Sequence, residues 1–424
     1  MTSNYIPRLA DDRLDFLMAE APAIALEGAK GVGKTETALR RAATAIDLSR
    51  QEEAESVHNE PGRLATEPAP LLLDEWQRLP AVWDQVRTLV DRGADPGRFL
   101  LAGSAAPLDT PIHSGAGRII HLRMRPLSLA ERGVAEPTVS LARLLDGDAG
   151  TIQGETGLTL ADYAREIARS GLPGLRGYSD RLAQEYVAGY LADVAKREFP
   201  QQGLRLRQPD ALTRWLRSYA AATGTTATYS SILDGATPGE SDKPARKTTI
   251  AYREVLSSLW LLDEVPAHGV ALGSAAALAR TPKHFLADPA FAASLLGVDA
   301  DALTRGVTLK QFGQYGSIAG RLFEALVRLD LQVYASHCGA ELSHLRTAQG
   351  THEIDFIVRR GLASVAVEVK LAPVVEDSDV RHLNWLAREL GDELVDRVVV
   401  TTGSRAYRRK ADGVAVVPAA LLGP

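Results

Sequence analysis

The chain has 424 residues, of which 45% are hydrophobic and 24% are charged, and its net charge at pH 7 is −5. This length predicts roughly two to four domains of a soluble globular protein, and the net charge excludes a global basic field that would attract nucleic acid. The single cysteine, Cys338, excludes a disulfide framework and a cysteine zinc site. The sequence shows neither an apolar run long enough to span a membrane nor a signal peptide, so we expect a cytoplasmic protein without a membrane partner.

An eight-residue glycine-rich stretch near the N-terminus organises the first part of the sequence. It fits the pattern of two glycines separated by four residues and followed by Lys and Thr, for which an ordinary glycine turn is the weaker alternative. A buried strand is expected before it at 21–27, and a helix after it at 36–46. We expect its backbone amides to bind a nucleoside triphosphate, with Lys34 at the β- and γ-phosphates and Thr35 on magnesium. The stretch consists of Gly28, Ala29, Lys30, Gly31, Val32, Gly33, Lys34 and Thr35.

The second half of a triphosphatase site is expected at the end of the next apolar run. Residues 5–20 predict a helix, and the polar stretch 51–70 predicts a mobile loop. The run at 70–75 predicts a strand buried on both faces, ending in Asp74 and Glu75. We expect Asp74 to join the magnesium shell and Glu75 to activate the attacking water. A buried strand capped by two solvated acids is the alternative, which the preceding phosphate loop disfavours.

Two further strands are predicted after this acidic pair. The segment 98–105 ends in a small polar cluster whose Ser104 would lie near the γ-phosphate, although Gly-Ser also forms ordinary turns. The segment 117–122 carries Arg118 near its start. This arginine could stabilise transition-state charge on its own or a neighbouring subunit's γ-phosphate, or it could be solvated, and the sequence leaves both possibilities open.

These motifs together resemble those of the AAA-type ATPases of bacteria and archaea that carry a C-terminal restriction-nuclease-like domain. The resemblance rests on the phosphate loop, Leu-Leu-Asp-Glu-x-Gln, Ala-Gly-Ser, Gly-Arg and Arg-Pro-Leu-Ser. It implies that Ser104 is the first sensor and that Asp74, Glu75 and Gln77 match the family pattern. It also implies that residues 124–129 follow the last strand of the core.

The middle of the chain predicts several helices and one possible DNA-binding unit. Residues 225–270 follow the order helix, turn, helix, strand, which fits a winged helix-turn-helix, a domain that the resemblance also implies. Its second helix could enter a major groove, and Lys243, Arg246 and Lys247 could contact phosphates. A packing module with a solvated basic turn is the alternative. Loop-like sequence is expected at 141–157, a strand at 284–289, and helices at 162–169, 186–199, 210–222 and 290–296.

The C-terminal part predicts a strand hairpin that carries acidic residues. A helix is expected at 318–331, and strands at 342–346, 353–358 and 365–370. Asp355 and Glu368 would lie across the hairpin, close enough to share one divalent metal. Lys370 would share the face of Glu368 and orient water or offset developing negative charge.

This pattern is the Asp…Glu-x-Lys arrangement of restriction-type nucleases. Glu324 from the helix would complete the site, and the resemblance implies all four residues. A structural surface hairpin is the alternative that the pattern alone favours. A basic cluster near the end could contact phosphate, but it fits a solvated turn slightly better; it consists of Arg405, Arg408, Arg409 and Lys410.

The sequence therefore predicts an α/β protein that binds and hydrolyses ATP with Mg²⁺ in the cytoplasm. We expect it to act on DNA, by remodelling or translocation, as a homo-oligomer in which Arg118 could act across subunits. The alternatives are an ATP-gated, metal-dependent nuclease and a nucleotide switch that binds a protein partner. The expected parts are an AAA-type P-loop core with a parallel sheet at 1–140, a helical lid or linker at 141–209, a winged-helix-like domain at 210–310 and a restriction-endonuclease-like α/β domain at 311–424.

Overall fold

The computed structural model of the chain describes residues 5–105, 115–148, 150–202, 209–237, 246–268, 281–306, 308–311, 314–347 and 350–424. Among the described helices, none is long and apolar enough to cross a membrane.

The N-terminal part is a five-stranded parallel sheet flanked by helices. Its elements are α1 Leu9–Glu20, β1 Ala23–Glu27, α2 Lys34–Leu39, β2 Thr44–Asp47, α3 Gln51–Asn59, α4 Arg63–Thr66, β3 Leu71–Asp74, α5 Ala81–Asp91, β4 Phe99–Gly103 and β5 Ile120–Arg123. The strand order is β2-β3-β4-β1-β5, and every neighbouring pair is parallel. The unbroken apolar runs of β1, β3 and β4 are buried because the sheet is covered on both faces.

This strand order places the predicted ATP-site residues at one edge of the sheet. The glycine-rich loop follows β1, Asp74 ends β3, and Ser104 follows β4, which lies between them. Because all three strands are parallel, their carboxyl ends meet at the same edge.

Two predictions in this part were wrong. The expected helix at 36–46 ends at Leu39, because Thr44–Asp47 pairs with β3 as an edge strand instead. The expected mobile loop at 51–70 contains α3 and α4. The stretch 51–59 is polar because α3 lies on the surface with only Val57 buried, and it is rich in residues that favour helices.

The middle part is largely helical. Its elements are α6 Leu129–Arg132, β6 Val139–Ser140, α7 Leu141–Leu145, β7 Gly154–Glu155, α8 Leu160–Arg169, α9 Asp180–Asp193, α10 Phe199–Gln201, α11 Pro209–Ala221, α12 Tyr229–Ala236, α13 Arg246–Ser258, α14 Pro289–Leu296, α15 Ala300–Thr304, β8 Thr308–Gln311 and β9 Gln314–Ser317. A π-helical turn, Val194–Glu198, joins α9 to α10. The expected loop at 141–157 was wrong, since it contains α7 and β7.

The segment expected to form a winged helix contains α12, α13 and two isolated antiparallel bridges. The bridges pair Leu262 with Leu286 and Val265 with Lys283. They do not establish a winged helix, which stays a prediction. Lys243 lies outside the described residues, as do the side chains of Arg246 and Lys247.

The C-terminal part is a seven-stranded mixed sheet with helices on it. Its elements are α16 Ile318–Cys338, β10 Glu341–Arg346, β11 Glu353–Arg360, β12 Ala363–Lys370, α17 Asp377–Leu390, β13 Leu394–Thr401, β14 Arg405–Arg408, β15 Ala415–Pro418 and β16 Leu422–Gly423. The strand order is β10-β11-β12-β13-β15-β14-β7, so β7 of the middle part completes this sheet, while β16 pairs with β6.

One helix, α16, connects the parts through the main hydrophobic core. Fourteen of its 21 residues are buried, and the core around it extends from α1 to the last strand. Asp330 accepts a hydrogen bond from the Leu129 amide, and the Tyr334 hydroxyl accepts one from the Ala130 amide. These contacts join the helix to the segment that follows the parallel sheet.

Candidate functional site

The glycine-rich loop has a backbone shape that depends on its first glycine. Gly28 has φ of +146°, and a Cβ there would lie 2.1 Å from the carbonyl oxygen of Met124. Gly33, at the start of α2, has φ of +99°. Both angles favour glycine over residues with a side chain.

Lys34 extends back into this loop and is buried. Its ammonium donates hydrogen bonds to the carbonyl oxygens of Gly28, at 2.8 Å, and Ala29, at 3.0 Å. Burial lowers the pKa of Lys34 to about 8, against the opposing effect of the Glu75 and Asp74 carboxylates.

Thr35 and Asp74 meet beside the loop. The Thr35 hydroxyl donates to the two carboxylate oxygens of Asp74 at 3.0 and 3.1 Å. Burial and the neighbouring carboxylate of Glu75 raise the pKa of Asp74, against the hydrogen bond from Thr35. A hydroxyl and a carboxylate are hard oxygen donors, so this pair fits Mg²⁺ bound jointly with phosphate oxygens.

Glu75, Gln77 and Ser104 form a polar row next to this pair. The Gln77 amide donates to Glu75 at 2.5 Å and to the Ser104 hydroxyl at 3.4 Å. Glu75 has φ of +53°, a left-handed conformation that costs energy in a residue other than glycine and is found often at functional sites. The Gln77 side chain packs directly against Gly103, because a Cβ on this glycine would lie 2.7 Å from the Gln77 side-chain oxygen.

A cavity of about 420 Å³ opens over the loop. Its walls include Lys34, Thr35 and Glu75, together with Tyr5 from the N-terminal segment and Pro173 from the middle part. Residues from two parts of the chain therefore surround the same space.

Arg118 is not brought to this cavity. The register of β5 on β1, with Ile120 beside Ile24, places Arg118 before the start of β5, at the edge of the sheet opposite the glycine-rich loop. There its guanidinium pairs with Asp91 at 2.5 Å.

A buried arginine that the sequence analysis missed supports the loop. The Arg8 guanidinium donates to the carbonyl oxygens of Val32, at 2.6 Å, and Arg125, at 2.7 Å, and pairs with Glu131 at 3.0 Å. No motif marks Arg8, because two of its partners lie more than a hundred positions away.

The four predicted nuclease-like residues do come together in the C-terminal part. The pairing of Phe356 with Val367 places Asp355 opposite Glu368 on the neighbouring strand. The Val369 amide donates to Asp355 at 2.9 Å, and the Lys370 ammonium lies 3.6 Å from Glu368.

A second lysine, Lys283, lies inside this cluster. Its ammonium is 2.6 Å from Glu324 and 2.9 Å from Asp355, and the residue is 1% exposed. Sequence reasoning missed Lys283 because it comes from the middle part and matches no nuclease motif.

The charges in this cluster are set by burial and by Lys283. Burial alone would lower the pKa of Lys283, but Asp355 and Glu324 outweigh this effect and raise it. Burial would raise the pKa of Asp355, but Lys283 lowers it below its usual value. Burial raises the pKa of Glu324 to about 7, and burial with the nearby Asp355 raises that of Glu368.

This cluster does not fit a divalent metal as it stands. Among the described residues, no group of three or more His, Cys, Asp or Glu side chains is arranged to hold a metal ion. Of the predicted ligands, Asp355 has one oxygen in contact with the Lys283 ammonium and the other accepting from the Val369 amide, and one oxygen of Glu324 contacts the same ammonium.

Comparison with protein families gives three matches along the chain. Residues 20–132 match the AAA domain, and residues 160–302 and 319–422 match two domains of unknown function, DUF8612 and DUF4143. The first match covers the glycine-rich loop, Asp74, Glu75 and Ser104. The N-terminal part of the chain is therefore similar to the AAA domain.

Individual relatives add little about function. The uncharacterized proteins Rv2008c of Mycobacterium tuberculosis and Mb2031c of Mycobacterium bovis are each 25% identical over 301 residues, which is 69% of this chain and 60% of theirs. The matched region thus spans less than two thirds of these curated relatives. A Walker-type ATPase of Pyrococcus abyssi aligns over 69% of this chain and 97% of its own, with 14% identity and a TM-score of 0.43.

A buried ionic cluster joins the N-terminal part to the other two parts. Asp263 of the middle part pairs with Arg123 at 3.0 Å, Arg125 at 2.8 Å and Arg328 of α16 at 2.6 Å. Burial would raise the pKa of Asp263, but the three guanidinium groups hold it well below its usual value. Arg123 is the last residue of β5, which pairs with β1, and Arg125 lies two residues further along the chain.

The predicted basic cluster near the end of the chain is largely neutralised by ion pairs. Arg405 pairs with Glu155 at 3.0 Å, and Arg408 pairs with Asp396 at 2.8 Å. Arg409 pairs with Asp377 and with Asp412. These ion pairs argue against a phosphate-binding surface, but Arg405 and Arg408 lie on strand β14 and not in the expected turn.

Proposed function

We propose that the AAA domain binds ATP with Mg²⁺ and hydrolyses it at the cavity over the glycine-rich loop. The observation that carries the proposal is the contact of the Thr35 hydroxyl with Asp74 next to Glu75, at the edge of the cavity that Lys34 lines. A hydroxyl, a carboxylate, a lysine and a second carboxylate are the groups that triphosphate hydrolysis requires.

Binding would rest on the loop and on Lys34. The triphosphate oxygens would accept hydrogen bonds from the loop amides and from the Lys34 ammonium, which now donates to the carbonyls of Gly28 and Ala29. Thr35 and Asp74 would hold Mg²⁺, which when bound neutralises charge on the β- and γ-phosphates. Tyr5 and Pro173 would supply the walls for the rest of the nucleotide.

Hydrolysis would depend on Glu75. Its carboxylate would accept a proton from the water that attacks the γ-phosphate, while Lys34 stabilises the charge that develops on the phosphate oxygens. The Gln77 amide would orient Glu75, and Ser104, at the far end of the same row, would contact the γ-phosphate.

Lys34→Ala tests this assignment, with Lys30→Ala as the matched control. Lys30 lies in the same loop but is exposed and pairs with Glu198. We expect Lys34→Ala to lower ATP turnover by about 10²–10³ because a preorganised charge is lost, and Lys30→Ala to leave it unchanged. Normal turnover by Lys34→Ala would refute the proposed site.

We further propose that the protein forms a homo-oligomer and uses ATP hydrolysis to act on DNA by remodelling or translocation. The position of Arg118, far from its own loop, argues against a role in its own site, which leaves a role at a neighbouring subunit or the partly exposed ion pair with Asp91 alone. ATPase rates measured with and without single- and double-stranded DNA, and oligomer size measured with and without ATP, test this proposal. If neither single- nor double-stranded DNA changes the ATPase rate, the result would favour the nucleotide switch with a protein partner.

A specific contact supports the switch as the second candidate. Leu172 and Pro173 of the middle part lie against Gly31 and Gly33, since a Cβ on either glycine would lie 3.7–3.8 Å from their side chains. A conformational change of the loop on ATP binding would therefore alter its contacts with the middle part directly. Limited proteolysis with and without ATP measures that change.

A further inference from the structure

The C-terminal cluster contains a cation supplied by the chain itself. Lys283 belongs to the segment of the middle part that bridges to Val265, and its side chain enters the space between α16 and β11. Its ammonium is also 3.9 Å from Glu353 and 5.4 Å from the centre of the Phe356 ring. The cluster therefore surrounds Lys283 with carboxylates and one aromatic face.

The position of this ammonium conflicts with a divalent ion. Carboxylate oxygens bind Mg²⁺ or Ca²⁺ at about 2.0–2.6 Å. Of the predicted ligand Asp355, one oxygen contacts the Lys283 ammonium and the other accepts from the Val369 amide, while Glu324 lies 2.6 Å from the same ammonium. An ion bound to these carboxylates would therefore lie next to the Lys283 ammonium. Two cations cannot share these oxygens without strong repulsion in a buried site. An ammonium supplies one positive charge, but it cannot coordinate a phosphodiester oxygen or a water as a metal ion does.

We propose that Lys283 occupies the place of the divalent cation and makes this cluster a metal-free ionic clamp between the middle and C-terminal parts. The clamp joins Lys283 to Glu324 and Asp355, while Lys370 remains at the rim beside Glu368, with about a third of its side chain exposed. The clamp does not hydrolyse phosphodiesters, because the Lys283 ammonium takes the place that the nuclease motif provides for a metal ion. This inference is independent of the proposed ATP site.

Removing the ammonium should open a metal site, which can be tested by Mn²⁺ binding. We expect Lys283→Met, which keeps the length of the side chain and removes its charge, to gain saturable binding of one Mn²⁺ per chain. The measurement uses electron paramagnetic resonance without nucleotide, with Asp74→Asn in every variant so that the ATP site does not contribute. The chain without a change at Lys283 should show no such binding.

Two further variants locate the acquired site. Adding Asp355→Asn to Lys283→Met should abolish the gain, because a ligand is lost. Lys370→Met is the matched control, since it removes the rim lysine of the same cluster and should create no site. Equal Mn²⁺ binding by Lys370→Met and Lys283→Met, or binding by the chain with Lys283 intact that Asp355→Asn removes, would overturn the proposal.

A test on the unaltered chain keeps the proposal falsifiable if Lys283→Met does not fold. The chain is incubated with single- and double-stranded DNA and Mg²⁺ or Mn²⁺, with and without ATP, beside Glu368→Gln. We expect no cleavage above background from either protein. Metal-dependent cleavage that Glu368→Gln abolishes would show that the cluster holds a metal with Lys283 displaced.

Discussion

The proposed ATP site and the C-terminal cluster are built from similar side chains but place their lysines differently. In the N-terminal part, Lys34 donates to loop carbonyls, and Asp74 contacts the Thr35 hydroxyl beside an open cavity. In the C-terminal part, Lys283 donates directly to Asp355 and is 1% exposed. The first arrangement leaves the Asp74 carboxylate available to the proposed metal, whereas the second neutralises the Asp355 carboxylate within the fold. The same residue types thus predict a reaction in one place and a structural contact in the other.

The largest expected contrast is between matching glutamates at the two sites. We expect Glu75→Gln to lower kcat for ATP by about 10²–10⁴, because the general base is lost while the phosphate contacts stay. Glu368→Gln should leave ATP turnover unchanged. Steady-state kinetics with an ATP-binding assay measures both.

Two outcomes would contradict this expectation. If Glu75→Gln hydrolyses ATP at the normal rate, Glu75 is not the base. If Glu368→Gln slows hydrolysis as much as Glu75→Gln does, the two sites are not independent.

Removal of the Asp263 carboxylate, which is buried between the three parts of the chain, should strongly lower the free energy of unfolding. We expect Asp263→Asn to lower the free energy of unfolding by about 3–5 kcal/mol, because Arg123, Arg125 and Arg328 lose their shared charge partner in a buried site. The control Asp91→Asn breaks the partly exposed pair with Arg118 and should cost about 0–1 kcal/mol. Denaturant unfolding of both variants provides the measurement, and equal costs would contradict the structural role of the cluster.

A smaller effect is expected from the residue that positions Glu75. Gln77→Ala removes the amide that donates to Glu75 and should lower kcat about tenfold with little change in KM, because the base loses its orientation. A rise in KM without a change in kcat would place Gln77 in substrate binding instead.

The smallest predicted signal is proton uptake on ATP binding at alkaline pH. Burial lowers the pKa of Lys34 to about 8, so at pH 9 most free protein carries a neutral Lys34. The triphosphate favours the charged form, so binding at pH 9 should take up close to one proton, while binding at pH 7 should take up much less through Lys34. Calorimetry in buffers of different ionisation enthalpy measures this uptake. Binding heats at pH 9 that do not depend on the buffer would contradict the lowered pKa.

The strands of the parallel sheet were predictable because their signals are local. Continuous apolar runs define Ala23–Glu27, Leu71–Asp74 and Phe99–Gly103, and burial on both faces requires no partner with a particular sequence. The helix at 36–46 was wrong because Thr44–Asp47 is held by pairing with β3, which its own sequence does not specify.

The sequence by itself determined the glycine-rich loop, the acidic pair Asp74 and Glu75 and the hairpin that brings Asp355 to Glu368, because each depends on short spacings along a strand or loop. Only the tertiary structure decided what surrounds these residues. Arg8 reaches Arg125 across 117 positions, and Lys283 reaches Asp355 across 72. Electrostatic interactions act through space between segments that are distant in the chain. A local motif can therefore predict which carboxylates lie close together, but not which cationic side chain neutralises them.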